Sequence, residues 1–125
     1  MTYDIWVPGK MWTINAERRW HYHKRAQHVE PVRTAAKLIT QTMMRENGWS
    51  LIDTPVHVRF HPVQQMKGTL ADTANHLPPC KAALDGIVEA GLLHDDNPEW
   101  VYEEAFVPVT KSRNPGVRVV ITPIS

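Results

Sequence analysis

The sequence predicts an α/β (α+β) domain, a small mixed β-sheet of about four strands with two main helices packed on it. Three observations carry this. Pro55 to Val63 alternates apolar and polar residues, two longer stretches repeat apolar residues at steps of three and four, and the elements run strand, helix, strand, helix, strand, strand. A chain of 125 residues suits one domain, expected over residues 1–125, and is too short for two full cores.

Tyr3 to Val7 reads as the first strand, with Tyr3, Ile5 and Val7 on one face, and Pro8-Gly9 ends it. A loop through Asn15 leads to Trp20-His21-Tyr22-His23-Lys24-Arg25, where aromatics and bases interleave. Such a segment either lies along a nucleic-acid backbone, with cations on phosphates and rings near unstacked bases, or packs Trp20 and Tyr22 against the protein. His21 and His23 have no third ligand at a spacing that suits zinc. The longest helix is expected from about His28 to Glu46, with Pro31 in its first turn or at a break and Asn47-Gly48 as its stop. Val32, Ala35, Ala36, Ile39, Thr42 and Met43 form its apolar stripe.

In the second strand Val56, Val58 and Phe60 point one way and His57, Arg59 and His61 the other. Gln64 to Ala71, with Lys67 and Gly68, has no apolar period and reads as a mobile loop. Lys81 to Leu93 is the second helix: Ala83, Leu84, Ile87, Val88 and Gly91 make its stripe, and Ala90-Gly91 ends it. Trp100 to Val109 is a strand placing Val101, Glu103, Ala105 and Val107 on one face and Tyr102, Glu104, Phe106 and Pro108 on the other. Asn114-Pro115-Gly116 turns the chain into a last strand, Val117 to Ile121, expected to form a hairpin with the one before.

Net charge is +1 with neutral histidines, but its distribution is uneven. From Lys10 to Lys37, the bases Lys10, Arg18, Arg19, Lys24, Arg25, Arg33 and Lys37 face only Glu17 and Glu30, whereas Asp72 to Glu104 holds eight acids against Lys81. A basic arm beside an acidic pocket is what a metal-dependent nuclease needs, and an exposed charged helix gives a similar count. The lone Cys80 excludes an internal disulfide and suits a reducing compartment. No apolar run approaches the roughly 18 residues of a membrane span, and no signal-peptide core is seen at the start, so a soluble cytoplasmic protein without membrane association is expected.

The segment from Asp72 to Asp96 concentrates the chemistry. A carboxylate precedes a loop with Pro78 and Pro79, a helix carries Lys81, Asp85 and Glu89 at four-residue steps, and Asp95-Asp96 follows. Mg²⁺ and Mn²⁺ take oxygen ligands, commonly one or two carboxylates completed by phosphate oxygens and water. Such a cluster with a nearby lysine suits phosphodiester hydrolysis, while solvated helix-end acids and an ordinary Asp-Asp-Asn-Pro turn explain the same residues.

Asp72 with Asn75 three residues later, Lys81-Ala82-Ala83, Asp85, Ala90-Gly91 and Asp95-Asp96 give this segment the pattern of a known family. It resembles the RusA family of Holliday-junction resolvases, small endodeoxyribonucleases found mostly in phages and prophages. Thr13-Ile14-Asn15 is similar to that family's Ser-x-Asn loop. The central motif is specific, and the likeness over the rest is one of strand order and length. Two departures stand out: Ala74 occupies the position of a second family aspartate, and a short insertion including the two prolines separates Asn75 from Lys81.

The resemblance implies a Mg²⁺- or Mn²⁺-dependent endodeoxyribonuclease that resolves four-way or other branched DNA in recombination and repair, working as a homodimer. Asp72, Lys81 and Asp96 are implied as catalytic, with Asp72, Asp96, Asp95 and Asp85 as metal-binding acids. Asn15, Arg18, Arg19, His23, Lys24, Arg25, Lys67 and Asn75 are the expected DNA contacts; Asn75 and Asn15 serve equally well as loop-shaping residues. With Ala74 in place of an acid, either Asp85 or Asp95 fills in, or the protein binds junctions on the same fold without cleaving them.

Overall fold

A computed structural model describes residues 1–72 and 74–124. Five strands form one mixed sheet: β1 (Tyr3–Pro8), β2 (Val56–Gln64), β3 (Val101–Phe106), β4 (Thr110–Lys111) and β5 (Gly116–Pro123), in the order β1-β5-β2-β3 with β4 also on β2. Three helices accompany it: the single turn α1 (Ile14–Glu17), the long α2 (Tyr22–Asn47) and α3 (Leu77–Ala90). The mixed α+β architecture is the expected one, with a fifth, two-residue strand beyond the four anticipated.

The hairpin expected between the last two long strands does not form. β5 pairs antiparallel with both β1 and β2, and β3 runs parallel to β2 on its far side. β2 is apolar enough to take the centre: Val56, Val58 and Phe60 are essentially buried, so it gains more between two neighbours than at an edge. Its Pro62 has no N–H to give, and parity with Phe60, which accepts from Val107 N at 2.9 Å, points that missing donor toward β3 and β4. The partner strand is interrupted there, at residues 107–109, which is why β3 and β4 are separate.

β3 also departs from simple alternation. Val56 pairs with Val101 but His57 pairs with Glu103, so one extra residue bulges out of the ladder. Val101 points into the core, and beyond the bulge Glu104 and Phe106 share the inward parity of Val58 and Phe60, with the Phe60 and Phe106 rings stacked at 5.2 Å. The expected faces of Glu103 and Glu104 are thereby exchanged.

α2 begins at Tyr22, earlier than about His28, and carries Pro31 in its interior. Tyr22 to Arg25 of the interleaved segment are thus its first turn, with His21 as the N-cap. Trp20 packs just ahead of it, against the His28 ring at 4.1 Å and toward Trp12 at 6.2 Å. The helix ends at Gly48 in the left-handed conformation (φ 67°), as Asn47-Gly48 predicts. α3 likewise starts earlier than Lys81, with Pro78 and Pro79 inside its first turn, where N–H groups have no intrahelical acceptor, and it stops at Gly91 (φ 93°).

α2 and α3 cover one face of the sheet and cross closely at Gly86. A Cβ there would stand 2.3 Å from the Arg33 carbonyl oxygen, 2.7 Å from Ala36 Cβ and 2.9 Å from Lys37 N. Ala36, Ala82 and Ala83 extend this small-residue contact, and Leu84, Ile87, Leu92, Val119 and Ile121 fill the space between helices and sheet. No helix among the described residues is long and apolar enough to cross a membrane.

Candidate functional site: a lysine held among carboxylates

Two consecutive turns of α3 carry Lys81 and Asp85 on one side of the helix. The turn after the helix returns Asp96 to that side, and the bulge in β3 delivers Glu104 from the sheet. The four side chains meet. Lys81 Nζ donates to Glu104 Oε1 at 2.7 Å and lies 3.8 Å from Asp96 Oδ2. Asp85 stands beside Asp96, and its carboxyl is held above its ordinary value. Desolvation is the main cause, reinforced by the neighbouring Asp96 and opposed by Lys81 and Arg33. Two carboxyl groups this close accommodate one proton, or a cation, better than two bare charges.

Lys81 and Asp85 also line a cleft of about 270 Å³ between α1, the start of α2 and α3, with Glu17, Arg25, Val29 and Leu77. Glu17 is fixed on both oxygens: Oε2 accepts from Trp12 Nε1 at 2.8 Å, and Oε1 lies 3.2 Å from Arg25 Nε. The cleft therefore brings Arg25 of the basic arm to Lys81 and Asp85 of the central motif.

The loops around the cleft are tied together through His76, which is buried just ahead of α3. Its Nδ1 lies 2.9 Å from the Trp12 carbonyl and its Nε2 3.2 Å from Gln64 Oε1. Gln64 in turn donates to Thr69 O and accepts from Ala71 N, which shapes the loop leading to Asp72. Ile14 N donates to the Asn75 carbonyl at 2.9 Å, so the Thr13–Asn15 loop and the Asp72–Asn75 turn are direct neighbours.

Lys81, Asp85 and Asp96 thus come together, and other expected residues sit elsewhere. Asp72 is exposed on the turn before α3, with its carbonyl accepting from Asn75 N; its side chain makes no hydrogen bond or ion pair with another described residue. Both Asp95 oxygens are engaged locally, by Asp96 N at 2.7 Å and Asn97 Nδ2 at 3.2 Å. Ala74 adopts φ 69°, a left-handed conformation in which aspartate is better tolerated than alanine. Asn15, Arg18 and Arg19 are exposed on and after α1, His23, Lys24 and Arg25 on the first turn of α2, and Lys67 on the loop after β2. Lys24 Nζ stands 5.2 Å from the Trp20 ring centre.

Glu104 and Glu17 were not singled out by the sequence reading. Strict alternation turns Glu104 away from the helices, and the bulge reverses that. Glu17 gave no signal beyond being one of two acids in a basic stretch. Among the described residues, no three His, Cys, Asp or Glu side chains converge on a single metal position. A cation would have to be shared between the paired carboxylates Asp85 and Asp96 and a phosphate substrate, which is within the habit of Mg²⁺.

No protein-family model matches the chain, and no curated protein matches it.

Proposed function

We propose that this protein is a metal-dependent endodeoxyribonuclease of the RusA type, acting on four-way or otherwise branched DNA. The observation that carries the reading is the placement of Lys81 between Glu104 and Asp96, beside the carboxyl pair Asp85 and Asp96, at a cleft that Arg25 also lines. Asp85 and Asp96, with Asp72 by family resemblance, are the residues to hold Mg²⁺ or Mn²⁺. Bound there, such an ion supplies an activated water and offsets phosphate charge.

The chain's own groups do the rest. Glu104 orients the Lys81 ammonium toward the cleft, where it stabilises charge on the scissile phosphate or the leaving oxygen. Arg25, Lys24, Arg18 and Arg19 take flanking phosphates, with His23, Asn15 and Asn75 bordering the same path. A four-way junction has two strands of equal standing, so a two-fold homodimer places one such site on each. A phage- or prophage-encoded enzyme of this kind would work in the host cytoplasm.

A second reading is favoured by Ala74 and by the position of Asp72 outside the Lys81 cluster: a junction-binding protein on this fold that does not cleave. One experiment separates the two. A labelled four-way junction and a matched linear duplex are incubated with the protein in Mg²⁺, Mn²⁺ or EDTA, and binding and nicking are followed together. Symmetric, metal-dependent nicking of the junction alone is the expected result, and selective binding without nicking supports the second reading. Asp96→Asn should abolish nicking with the fold intact; undiminished cleavage by that variant would refute the site.

A further inference from the structure

Two loops and the segment that carries β4 lie at the end of the sheet where β1 and β2 finish and β5 begins. They cover residues 8–12, 64–71 and 108–116, and they contain Lys10, Lys67, Lys111 and Arg113 without a single Asp or Glu. All four cations are solvent-exposed.

The loops are fastened to one another by backbone and amide hydrogen bonds. Gly9 N donates to Pro115 O at 3.0 Å, Ser112 N to Gln64 O at 2.9 Å, and Gln65 exchanges two 3.2 Å bonds with the backbone of Met11. Lys111 Nζ bonds the Gly68 carbonyl. Lys10, Lys67 and Arg113 have no hydrogen bond or ion pair to another described residue, so their charge faces outward uncompensated. Other cations do have an acid partner, as Arg25 has Glu17, Arg33 has Glu30 and Arg118 has Asp4.

We infer that this acid-free end is a second nucleic-acid contact, holding the phosphate backbone of a duplex arm while the Lys81 cleft engages the branch. The inference rests on the proposed DNA-processing function and extends it to a surface outside the cleft. Charge complementarity selects a polyanion, and the connections select its path. The 64–71 loop and the Trp12 loop meet at the buried His76, and the neighbouring Asn75 carbonyl receives Ile14 N of the cleft wall, so basic end and cleft are joined through one hydrogen-bonded set of loops. Such contacts position a duplex without reading its sequence.

The test is the salt dependence of binding. Each phosphate contact contributes roughly 0.9 to the slope of log affinity against log salt on duplex DNA. Lys67→Gln combined with Arg113→Gln removes two exposed cations that anchor nothing, so the melting curve should be unchanged. Expected is a slope lower by about two on both a four-way junction and a linear duplex, measured by anisotropy between about 50 and about 200 mM salt. An unchanged slope in this variant, with a reduced slope in Arg18→Gln/Arg19→Gln, would overturn the inference and leave the cleft reading standing. Failure of the wild-type protein to bind either DNA would instead overturn the functional reading and this inference with it. Met66 and Leu70, 57% and 49% exposed on the same loop, are groups a membrane surface also uses, so phosphatidylserine vesicles form a further arm. Vesicle binding that the double variant loses, with DNA slopes unaltered, would assign the surface to lipid and refute the proposal.

Discussion

Gly86→Ala sets two local rules against each other. In an isolated helix the change is favourable by about 1 kcal/mol, since alanine is the best helix former and glycine among the worst. At this crossing the new methyl would sit 2.3 Å from the Arg33 carbonyl oxygen, where ordinary contact starts at 3.4 Å. The shortfall is about 1.1 Å. None of the obstructing atoms can swing aside, because two belong to the α2 backbone and the third is Ala36 Cβ. The helices must separate, and a gap of up to about 1 Å forfeits a quarter to a half of each dispersion contact it opens. Overpacking of this kind costs about 3 kcal/mol at the upper end of its usual range. Less the propensity gain, the net loss is about 2 kcal/mol. With a urea m-value on the order of 1.5 kcal/mol/M, the unfolding midpoint followed by tryptophan fluorescence should fall by roughly 1.3 M. A midpoint that stays level or rises would show that the helices do not approach as described. Because the crossing sets α2 against α3, the same variant should widen the cleft between Arg25 and Lys81.

Other residues give independent tests. Ala74→Gly relieves a left-handed alanine (φ 69°) and should stabilise the fold by about 1 kcal/mol, seen as a raised melting temperature; a lower one would mean that the turn is held differently. Asp4 lies below its ordinary carboxylate range, chiefly because Arg118 hydrogen-bonds it, with Nε 2.8 Å from Oδ1. A depressed folded value means that its stabilisation is complete above the unfolded value of 3.8 and is lost as pH falls through the folded one. Asp4→Asn should therefore flatten the acid limb of the stability profile, and an identical limb in wild type and variant would count against the pair. Burial pushes the Cys80 thiol up to about 12, so a thiol reagent at neutral pH should modify it only after unfolding. Rapid labelling of the native protein would contradict that burial.

The sequence is easiest to read where a residue's own conformational chemistry decides the outcome. Gly48 and Gly91 end their helices in the left-handed conformation that glycine accepts, and the alternation of β2 marks its buried face without help from its neighbours. The errors arise where a distant partner decides. β3 looked like half of a hairpin because Asn114-Pro115-Gly116 is a good turn, yet β2 competes for the same edge of β5 and offers a longer, more apolar ladder. The start of α2 was hidden because Pro31 suggests a boundary, whereas in the fold it is tolerated within a helix whose Val32, Ala36 and Thr40 are buried. In the site, Lys81 and Asp85 were legible from their four-residue spacing on one helix. Glu104 was not, since its inward direction comes from a pairing shift between Val56 and His57 that leaves no mark on the local pattern.

That shift also governs how the sheet meets its surroundings. β3 is an outer strand, and an outer strand with a regular row of free N–H and C=O groups invites another chain to add on. Here the row is broken by the bulge at its start and by Pro108 beyond its end, while Glu103 places a charge on the open face. A foreign strand would find neither matching spacing nor a neutral seat along it. The irregularity that turns Glu104 toward Lys81 therefore also guards this edge against fibre-like growth, and it directs any second copy of the chain to dock through faces and loops instead of extending the sheet across β3.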